Sequence, residues 1–399
     1  MADTFQSEIG KFPSGWLTHR VDALFDIQQG KSVSKAHRQG NNQKPFLRTK
    51  NIYWGKIDLS ELDEMHFTAQ EESRLKLQEG DLLLCEGGDV GRTAIWNRKI
   101  ERCYYQNHLH RLRAKELSKI DPAYALFWFW YAFAIGKVYF GRSNVTTIPN
   151  LSQSKLGELQ MPKPEQKEQQ RIAYVLSMVQ TAIEQQERLI RLTRELKSAL
   201  MHKLFTEGLR GEKQKMTEIG PVPESWEIKP FEQFTTLQRG KDLTKDNFKN
   251  GLVPVAGSNG IIGYHDVAFV KAPGVTVGRS GSVGKVTFYD QEFWAHNTSL
   301  YVKDFHGNDP RFAAYYLEVL ELGRFKTGAS VPTLDRNSFK HLPIAVPQED
   351  EQIEIGNNLN VVDKKIEVIT RRKEKLEELF RTLLHQLMTG QTRVNDIDM

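Results

Sequence analysis

One stretch of the sequence occurs twice, and this duplication constrains the fold more than any other feature. The segment PEQKEQQRIAYVL begins at Pro164, and PQEDEQIEIGNNL begins at Pro347. Glu168 falls in register with Glu351, at the same offset as the two prolines (347 − 164 = 183). Self-similarity at a long period indicates repeated structural units. The sequence therefore predicts that the chain contains the same unit twice.

The similarity also runs upstream of these two segments. Trp16 matches Trp226 at an offset of 210, and Asp121 matches Asp309 at an offset of 188. The second copy is therefore shorter in its first part, whereas the part after each repeated proline keeps one length. This pattern predicts a duplicated two-part unit, and 399 residues are enough for two or three domains. The predicted parts are residues 1–163, 164–210, 211–346 and 347–399.

The two parts of constant length have the pattern of a coiled coil. Apolar residues recur at alternating steps of four and three with charged residues between them, which is the signature of a helical seam. We expect the two helices to pair with each other in antiparallel fashion, although pairing with helices of other chains is an alternative. The predicted seam consists of Ile172, Leu176, Val179, Ile183, Ile190, Leu200, Ile355, Leu359, Val362, Ile366, Ile369, Leu376 and Leu383.

The two variable parts, 1–163 and 211–346, are predicted to be α+β domains. Short apolar runs such as GKVTFYD are typical of strands, and GSNGIIGYHD is typical of a strand, a glycine-containing turn and a second strand. Asp121 and Asp309 each precede a proline, which is the usual pattern of an N-cap followed by a helix. Each domain therefore contains one predicted helix among its strands.

Two features predict a cytoplasmic protein. The chain contains two cysteines, Cys85 and Cys103, which is too few for a disulfide framework, and its first residues are too polar for a signal peptide. The most apolar run, from Ala123 to Ile135, is shorter than the roughly 20 residues that a bilayer requires. We interpret that run, including its aromatic FWFWYAF segment, as a buried helix rather than a base-stacking surface.

No catalytic motif is recognised in the sequence. GRSGSVGKV misses the spacing of a phosphate-binding loop, and Val286 stands where a magnesium-binding Ser or Thr is required. Cys85, Cys103 and nearby histidines match no zinc spacing. No methyltransferase, nuclease or helicase motif is found. The sequence predicts no catalytic residue, no metal and no cofactor for this chain.

Polar and basic loops occur at matching places in both copies. A net charge of +5 is compatible with nucleic acid, and Arg and Asn side chains are suited to guanine and adenine, although a solvated loop is the alternative. The candidate DNA contacts are Lys31, Arg48, Thr49, Lys50, Asn51, Arg92, Arg142, Ser143, Asn144, Thr146, Lys241, Ser258, Asn259, Arg279, Ser280, Lys285, Lys326, Thr327 and Ser330.

The chain resembles the specificity subunits of Type I restriction-modification systems. The resemblance is carried by IPNLSQSKLGELQMPKPEQKEQQRIAYVL and its copy, by GSNGIIGYHD, and by the two glycine turns that contain Gly91 and Gly284. It covers nearly the whole chain. It implies two target recognition domains, each of which reads one half of a split, asymmetric DNA sequence. It also implies that two long helices form an antiparallel coiled coil that sets the spacing between the two halves.

The resemblance further implies partners. Two methyltransferase subunits, which bind S-adenosylmethionine, are expected on the helices, and translocase-nuclease subunits are expected to complete the restriction enzyme. The two half-sequences are expected to differ, because the loops of the two domains differ. Three alternatives are a specificity subunit of a methylation-only or phage-exclusion system, a coiled-coil scaffold that binds no DNA, and a self-sufficient enzyme with a fused reader.

Overall fold

A computed structural model of the chain describes residues 4–97, 99–139, 151–328, 330 and 332–394. The chain divides into two compact units. Unit 1 comprises residues 1–186 and 372–399, and unit 2 comprises residues 187–371. Each unit therefore contains one globular part together with one section of each of two long helices.

The globular part of unit 1 contains short strands and five short helices, with a 3-10 turn at Thr49–Asn51 and a π-helix at Tyr131–Ile135. The strands are β1 (Thr4–Ser7), β2 (Gly10–Pro13), β3 (Leu17–Arg20), β4 (Phe25–Gln29), β5 (Gln43–Leu47), β6 (Ile52–Tyr53), β7 (Lys56–Ile57), β8 (Asp63–His66), β9 (Leu82–Cys85), β10 (Thr93–Ile95), β11 (Tyr104–Tyr105), β12 (Leu109–Ala114) and β13 (Gln160–Lys163). The helices are α1 (Val21–Leu24), α2 (Lys35–Gln39), α3 (Ala69–Leu75), α4 (Pro122–Trp130) and α5 (Gln153–Glu158).

The globular part of unit 2 lies in the sequence between the first long helix, α6 (Gln166–Glu207), and the second. Its strands are β14 (Gln214–Thr217), β15 (Gly220–Pro223), β16 (Glu227–Pro230), β17 (Thr236–Arg239), β18 (Val253–Gly257), β19 (Gly260–His265), β20 (Gly274–Gly278), β21 (Val286–Tyr289), β22 (Trp294–Ala295), β23 (Ser299–Asp304), β24 (Lys326–Thr327), β25 (Thr333–Leu334) and β26 (Pro343–Val346). Its helix is α7 (Pro310–Val319), and the second long helix is α8 (Glu349–Met388). Short 3-10 turns occur at Phe231–Gln233, Lys245–Asn247, Leu322–Phe325 and Arg336–Ser338.

The two globular parts have the same sheet topology. Unit 1 has a four-stranded sheet in the order β4-β12-β9-β10 and a three-stranded sheet in the order β11-β5-β8. Unit 2 has the orders β17-β23-β20-β21 and β22-β18-β19, which are the same when the strands are matched along the chain. The fold class is therefore confirmed as α+β with an internal duplication.

Glycines at matched positions show that the two globular parts also share their backbone conformation and packing. A Cβ atom on Gly30 would lie 2.3 Å from the carbonyl oxygen of Gln106, and a Cβ atom on Gly240 would lie 2.2 Å from that of His296. Only a residue without a side chain permits such an approach. The matched turn glycines Gly91 and Gly284 have φ angles of +87° and +83°.

Each helix α4 and α7 begins as predicted. The side chains of Asp121 and Asp309 accept the backbone N–H groups of Tyr124 and Phe312, and a proline occupies the first turn of each helix. In α4 the aromatic side chains from Phe127 onward are mostly buried in the core of unit 1. The prediction of a buried helix is therefore confirmed, with the addition that its last turn is a π-helix.

The long helices contact each other along opposite directions. Helix α6 has 42 residues and α8 has 40, so each is roughly 60 Å long at 1.5 Å per residue. In unit 1, Leu176 from the first half of α6 belongs to the same apolar core as Leu384 from the second half of α8. In unit 2, Lys197 from the second half of α6 binds Asp363 from the first half of α8. The antiparallel arrangement is thereby confirmed.

The repeated Glu-Gln pair anchors each helix to its globular part. The Gln169 side chain donates to the Pro164 carbonyl oxygen at 2.8 Å and accepts the Asp121 N–H at 2.9 Å. In unit 2, Gln352 makes the same bonds to Pro347 and Asp309, both at 2.9 Å. Each glutamine therefore joins the start of a long helix to the cap of a domain helix.

The glutamates of this pair also have matched partners. The indole N–H of Trp16 donates to Glu168 at 3.1 Å, and that of Trp226 donates to Glu351 at 3.3 Å. All four side chains are buried. Buried polar groups need such partners because an unpaired one is costly. The repeated motif is therefore a structural joint.

Candidate nucleic-acid interface

One edge of the large sheet in unit 2 brings polar side chains together. Strands β17 and β20 are both antiparallel to β23, so they run in the same direction and end at the same edge. Arg239 is the last residue of β17, and Arg279 follows β20 directly. The topology therefore places two arginines at one end of the sheet.

A third segment closes this edge into an open cleft of about 560 Å³. The backbone N–H of Leu334 donates to the Arg279 carbonyl oxygen at 2.9 Å, and Ser280 forms a β-bridge with Thr333. These bonds hold Arg336 beside the strand ends. We call this site the arginine cleft, and its lining consists of Gln238, Arg239, Arg279, Leu300, Thr327, Thr333, Leu334, Asp335 and Arg336.

The arginine cleft carries uncompensated positive charge. Within the described residues, Arg239, Arg279 and Arg336 form no ion pair, and Arg336 donates only to the Leu237 carbonyl oxygen at 3.3 Å. The carboxylate of Asp335 in the lining accepts the Asn337 N–H at 3.0 Å, which caps the following 3-10 turn. Three guanidinium groups against one engaged carboxylate leave the cleft with an excess of positive charge.

Other predicted DNA contacts lie near this edge. The Lys285 ammonium group donates to the carbonyl and side-chain oxygens of Asn259 at 2.9 Å and 2.7 Å, so it ties the β20-β21 turn to the β18-β19 hairpin. Ser258 precedes Asn259 in that hairpin, and its hydroxyl oxygen lies 3.2 Å from where a Cβ of Gly281 would stand. The structure thus brings Ser258, Asn259, Ser280 and Lys285 together beside Arg279.

The same edge of unit 1 has a different chemistry on the same backbone. At the positions of Arg279 and Arg336 stand Glu86 and Gln153, at the offsets already found for these segments (279 − 86 = 193 and 336 − 153 = 183). The Leu151 N–H donates to the Glu86 carbonyl oxygen at 3.0 Å, as Leu334 does in unit 2. Gln153 donates to the Ile27 carbonyl oxygen at 2.8 Å, as Arg336 does to Leu237.

At the position of Arg239 unit 1 has Gln29 (239 − 29 = 210), whose amide donates to the buried Glu86 carboxylate at 3.2 Å. The ring of His108 lies 3.8 Å from the same carboxylate. This edge of unit 1 therefore has amide groups and a buried carboxylate at the positions where unit 2 has guanidinium groups.

The predicted RTKN loop of unit 1 is largely engaged within the protein. Asn51 is buried, and its amide donates to the Asp58 and Glu61 carbonyl oxygens at 3.1 Å and 3.0 Å. Its side-chain oxygen accepts the Arg48 N–H at 2.9 Å. Both polar atoms of the Asn51 side chain are therefore engaged in holding the loop, and a contact of Asn51 with DNA stays a prediction.

The cations of this loop are paired. Arg48 binds Asp63 at 2.7 Å, and Lys50 lies 3.2 Å from Glu61. Arg92 binds Asp89 at 3.1 Å and donates to the Thr49 carbonyl oxygen. These side chains can meet a phosphate only in competition with a neighbouring carboxylate. Their role in DNA contact stays a prediction.

Lys31 and Lys241 are matched in sequence but differ in environment. Lys31 is buried, binds Glu71 at 2.5 Å and donates to the His66 carbonyl oxygen at 2.9 Å. Lys241 is exposed, with its ammonium 4.3 Å from the Phe269 ring centre. Lys31 could reach DNA only by breaking a buried ion pair, so its role in DNA contact stays a prediction.

The remaining candidates fall into two groups. Lys326, Thr327 and Ser330 are exposed, and Thr327 lines the arginine cleft. Arg142, Ser143, Asn144 and Thr146 lie outside the described residues. Sequence reasoning missed Gln238, Arg239 and Arg336. The signals available were the position of Gln238 and Arg239 directly before the matched glycine Gly240, and that of Arg336 shortly after the repeated proline Pro332.

The predicted seam residues all lie in buried or half-buried places. Ile172, Leu176, Ile190, Ile355, Leu359 and Ile369 are buried, and Val179, Ile183, Leu200, Val362, Ile366, Leu376 and Leu383 are half-buried. By contrast, Leu189, Leu192 and Leu196 of α6 are 45%, 43% and 60% exposed. Their spacing places them on one helix face, so unit 2 has an uncovered apolar stripe.

The described residues contain no cluster of three or more metal-ligating side chains. Burial raises the pKa of the Cys85 thiol to about 11 and that of Cys103 to about 12. Both thiols are therefore protonated near neutral pH, which suits neither a nucleophile nor a metal ligand. In the described part of the chain, no helix is both long enough and apolar enough to span a membrane.

Comparisons with known proteins agree on one family. The model of the Type I restriction modification DNA specificity domain matches residues 13–194 and 223–378. The Type I restriction enzyme MjaVIII specificity subunit of Methanocaldococcus jannaschii is 25% identical, covering 97% of this chain and 95% of its own. A second specificity subunit of that organism, named for the enzyme MjaX, is 24% identical, covering 98% of this chain and 96% of its own.

Solved structures show the same fold. The S subunit of a Type I restriction-modification system from M. genitalium has a TM-score of 0.64 and 18% identity, and the match covers 93% of this chain and 96% of that one. A chain from a structure on complex assembly and conformational transition of the Type I system has a TM-score of 0.55 and 13% identity, over 96% of this chain and 99% of its own.

Proposed function

Because the chain belongs to the family of Type I restriction-modification specificity subunits, we propose that each of its two units reads one half of a bipartite DNA target. The chain is the DNA specificity subunit of such a system and a non-catalytic component of the complex. The finer assignment concerns which unit reads which half and how the partner subunits bind.

The difference between the matched sheet edges supports the proposal that the two units read different DNA half-sequences. Both units share strand order and backbone hydrogen bonds at this edge, yet Arg279 of unit 2 stands where unit 1 has Glu86. A shared scaffold with different side chains is what two readers of different sequences require, since base edges are distinguished by donor and acceptor patterns. The two half-sequences should therefore differ.

The long helices support a role in spacing. They are the part of the duplication with constant length, and each one belongs in part to both units. We expect the accepted spacer between the half-sequences to depend on their length. Insertion of one heptad at matched places in α6 and α8 should change the spacer and leave both half-sequences intact.

The helices also support partner docking. The apolar stripe of Leu189, Leu192 and Leu196 is uncovered, and exposed apolar patches commonly mark protein interfaces. We assign this stripe to a methyltransferase subunit, which would bind S-adenosylmethionine and modify an adenine in each half-site, with translocase-nuclease subunits joining to form the restriction enzyme. The double variant Leu192→Glu and Leu196→Glu should reduce copurification with the methyltransferase, whereas Arg191→Glu on the same helix should not.

The test of the function is a methylation map. The chain is coexpressed with the methyltransferase subunits of its own system, and methylated adenines are located by single-molecule sequencing. We expect one split motif with two unlike halves, and replacement of residues 1–163 by the corresponding domain of a relative should change one half only. A continuous motif, or a change in both halves, would contradict the proposal.

A further inference from the structure

The arginine cleft of unit 2 is not required by the fold. Unit 1 has the same strand order and the same backbone bond at this edge, with Leu151 donating to Glu86 as Leu334 donates to Arg279. It forms this edge without any of the three arginines. Their presence in unit 2 therefore needs an explanation outside folding, and the absence of ion pairs among the described residues indicates a ligand outside the chain.

The difference between the units identifies the kind of DNA group. Phosphate contacts hold a protein on the duplex without regard to sequence, so two domains of one fold would be expected to keep them alike. Base contacts must change when the sequence that is read changes. The three positions are cationic in unit 2 and amide or carboxylate in unit 1, so they vary as base-reading positions would.

Among the bases, arginine selects guanine. Its guanidinium group presents two parallel N–H donors that match the O6 and N7 acceptors of guanine in the major groove. We infer that the arginine cleft, through guanidinium groups of the set Arg239, Arg279 and Arg336, reads guanine in the half-site of unit 2, an inference that rests on the proposed function. Arg279 is half-buried at the base of the cleft, while Arg239 and Arg336 are exposed at its rim.

The experiment compares methylation motifs of the assembled complex. The single variants Arg239→Gln, Arg279→Gln and Arg336→Gln are each coexpressed with the methyltransferase subunits. Lys303→Gln is the control, because Lys303 is an exposed cation near the opposite end of β23. We expect at least one arginine variant to accept other bases at a guanine of the unit 2 half-site, with discrimination reduced roughly 5- to 150-fold.

The half-site of unit 1 reports whether each variant folds and assembles. If that half is still read and the guanine requirement is unchanged in all three variants, the inference is overturned while the proposed function stands. A uniform loss of affinity with a weaker salt dependence would indicate phosphate contacts and would also overturn it. The inference would also be overturned if the half-site of unit 2 contained no guanine. If the unaltered complex methylates no split motif, the proposed function itself fails.

Discussion

At one matched contact between the globular part and the long helices, unit 1 has aromatic rings and unit 2 has charged side chains. Elsewhere in unit 2, Phe205 of α6 still packs on Phe312 and Tyr316 of α7. The unit 1 aromatic cluster consists of Trp54, Phe127, Trp130 and Phe380. The ring of Phe380 lies 4.9 Å from that of Trp130 and 6.1 Å from that of Phe127, measured between centres. Trp54 stacks on Trp130 at 5.7 Å. This contact depends on apolar area and ring geometry.

The unit 2 ionic cluster consists of Lys197, Tyr315, Glu318 and Asp363. Lys197 binds Asp363 at 2.8 Å and lies 3.8 Å from Glu318. The Tyr315 hydroxyl donates to Asp363 at 2.7 Å, and burial together with this carboxylate raises the pKa of Tyr315. One cation therefore holds together two carboxylates from two different elements. The matched pairs are Phe127 with Tyr315, Trp130 with Glu318, and Phe380 with Lys197.

This difference shows which contacts are the same in both copies of the duplicated unit and which differ in residue type. The Glu-Gln joint at the helix start is the same in both units, with equal bonds from Gln169 and Gln352. In a second contact the matched residues have changed from aromatic to ionic without a change of topology, while Phe205 keeps an aromatic contact with α7 in unit 2. The joint therefore specifies the arrangement, and the second contact supplies stability that each unit obtains in its own way.

The largest effect is expected from the aromatic cluster. The variant Phe380→Ala leaves a cavity beside Phe127 and Trp130, and such a loss in a core costs about 3–5 kcal/mol. Chemical denaturation followed by circular dichroism measures the change in the free energy of unfolding. Leu379→Ala is the control, since Leu379 is 45% exposed. Equal costs for the two variants would show that the rings contribute no packing.

The next largest effect is expected from the glutamates of the repeated Glu-Gln pair, which form similar contacts in both units. Glu168→Ala leaves the Trp16 indole N–H without its acceptor and removes the partner of Arg393. Glu351→Ala leaves the Trp226 indole N–H without its acceptor. Loss of one partner from a buried charged contact costs about 3 kcal/mol. The two variants should therefore lose similar stability in the same denaturation experiment. A cost in one unit alone would mean that the repeated motif has diverged in role.

A smaller effect is expected from the ionic cluster. Lys197→Ala removes the cation that faces Asp363 and Glu318, and loss of a hydrogen bond to a charged group costs about 2 kcal/mol. Arg191→Ala is the matched control, because the pair of Arg191 with Glu195 lies at the surface and contributes under about 0.5 kcal/mol. A loss equal to that of Phe380→Ala would show that the two contacts are energetically alike.

The duplicated architecture was predictable because its signals are local and occur twice. Asp121 and Asp309 mark helix starts by their place before proline, and the constant offset of 183 marks the long helices. The Glu168 and Gln169 bonds were not predictable in detail, since their partners are distant in sequence. Knowing that a motif is repeated does not say which atoms it joins.

The candidate site was harder to predict because the same residue type at matched positions lies in different environments in the two units. Lys31 and Lys241 both follow a matched glycine, yet Lys31 is neutralised by Glu71 and Lys241 is exposed. Arg239 and Arg279 share one edge because their strands pair with the same third strand, and Arg336 lines the same cleft because a later segment crosses the strand ends. Polarity and order in the chain identify candidates for such a site. Strand order decides which of them converge.

The smallest expected effect is a dependence of stability on pH, which the ionic cluster should show and the aromatic cluster should not. Burial raises the pKa of Glu318 above its ordinary value, against the opposing effect of Lys197. The folded state then holds the proton more tightly than the unfolded state, so this contribution to stability is present below the ordinary carboxyl pKa and is lost as pH rises through the raised value. Trp130, at the matched position of unit 1, does not titrate.

Glu318→Gln should therefore gain stability relative to the unaltered chain as the pH rises from about 4 through the raised carboxyl pKa, by less than about 1 kcal/mol, because the carboxyl is partly exposed. Denaturation midpoints of both proteins across this range measure the difference. Glu321→Gln is the control, because Glu321 is exposed and lies outside the ionic cluster. A difference that is constant with pH would show that Glu318 keeps its charge at no cost, and the ionic contact would then be as indifferent to pH as the aromatic one.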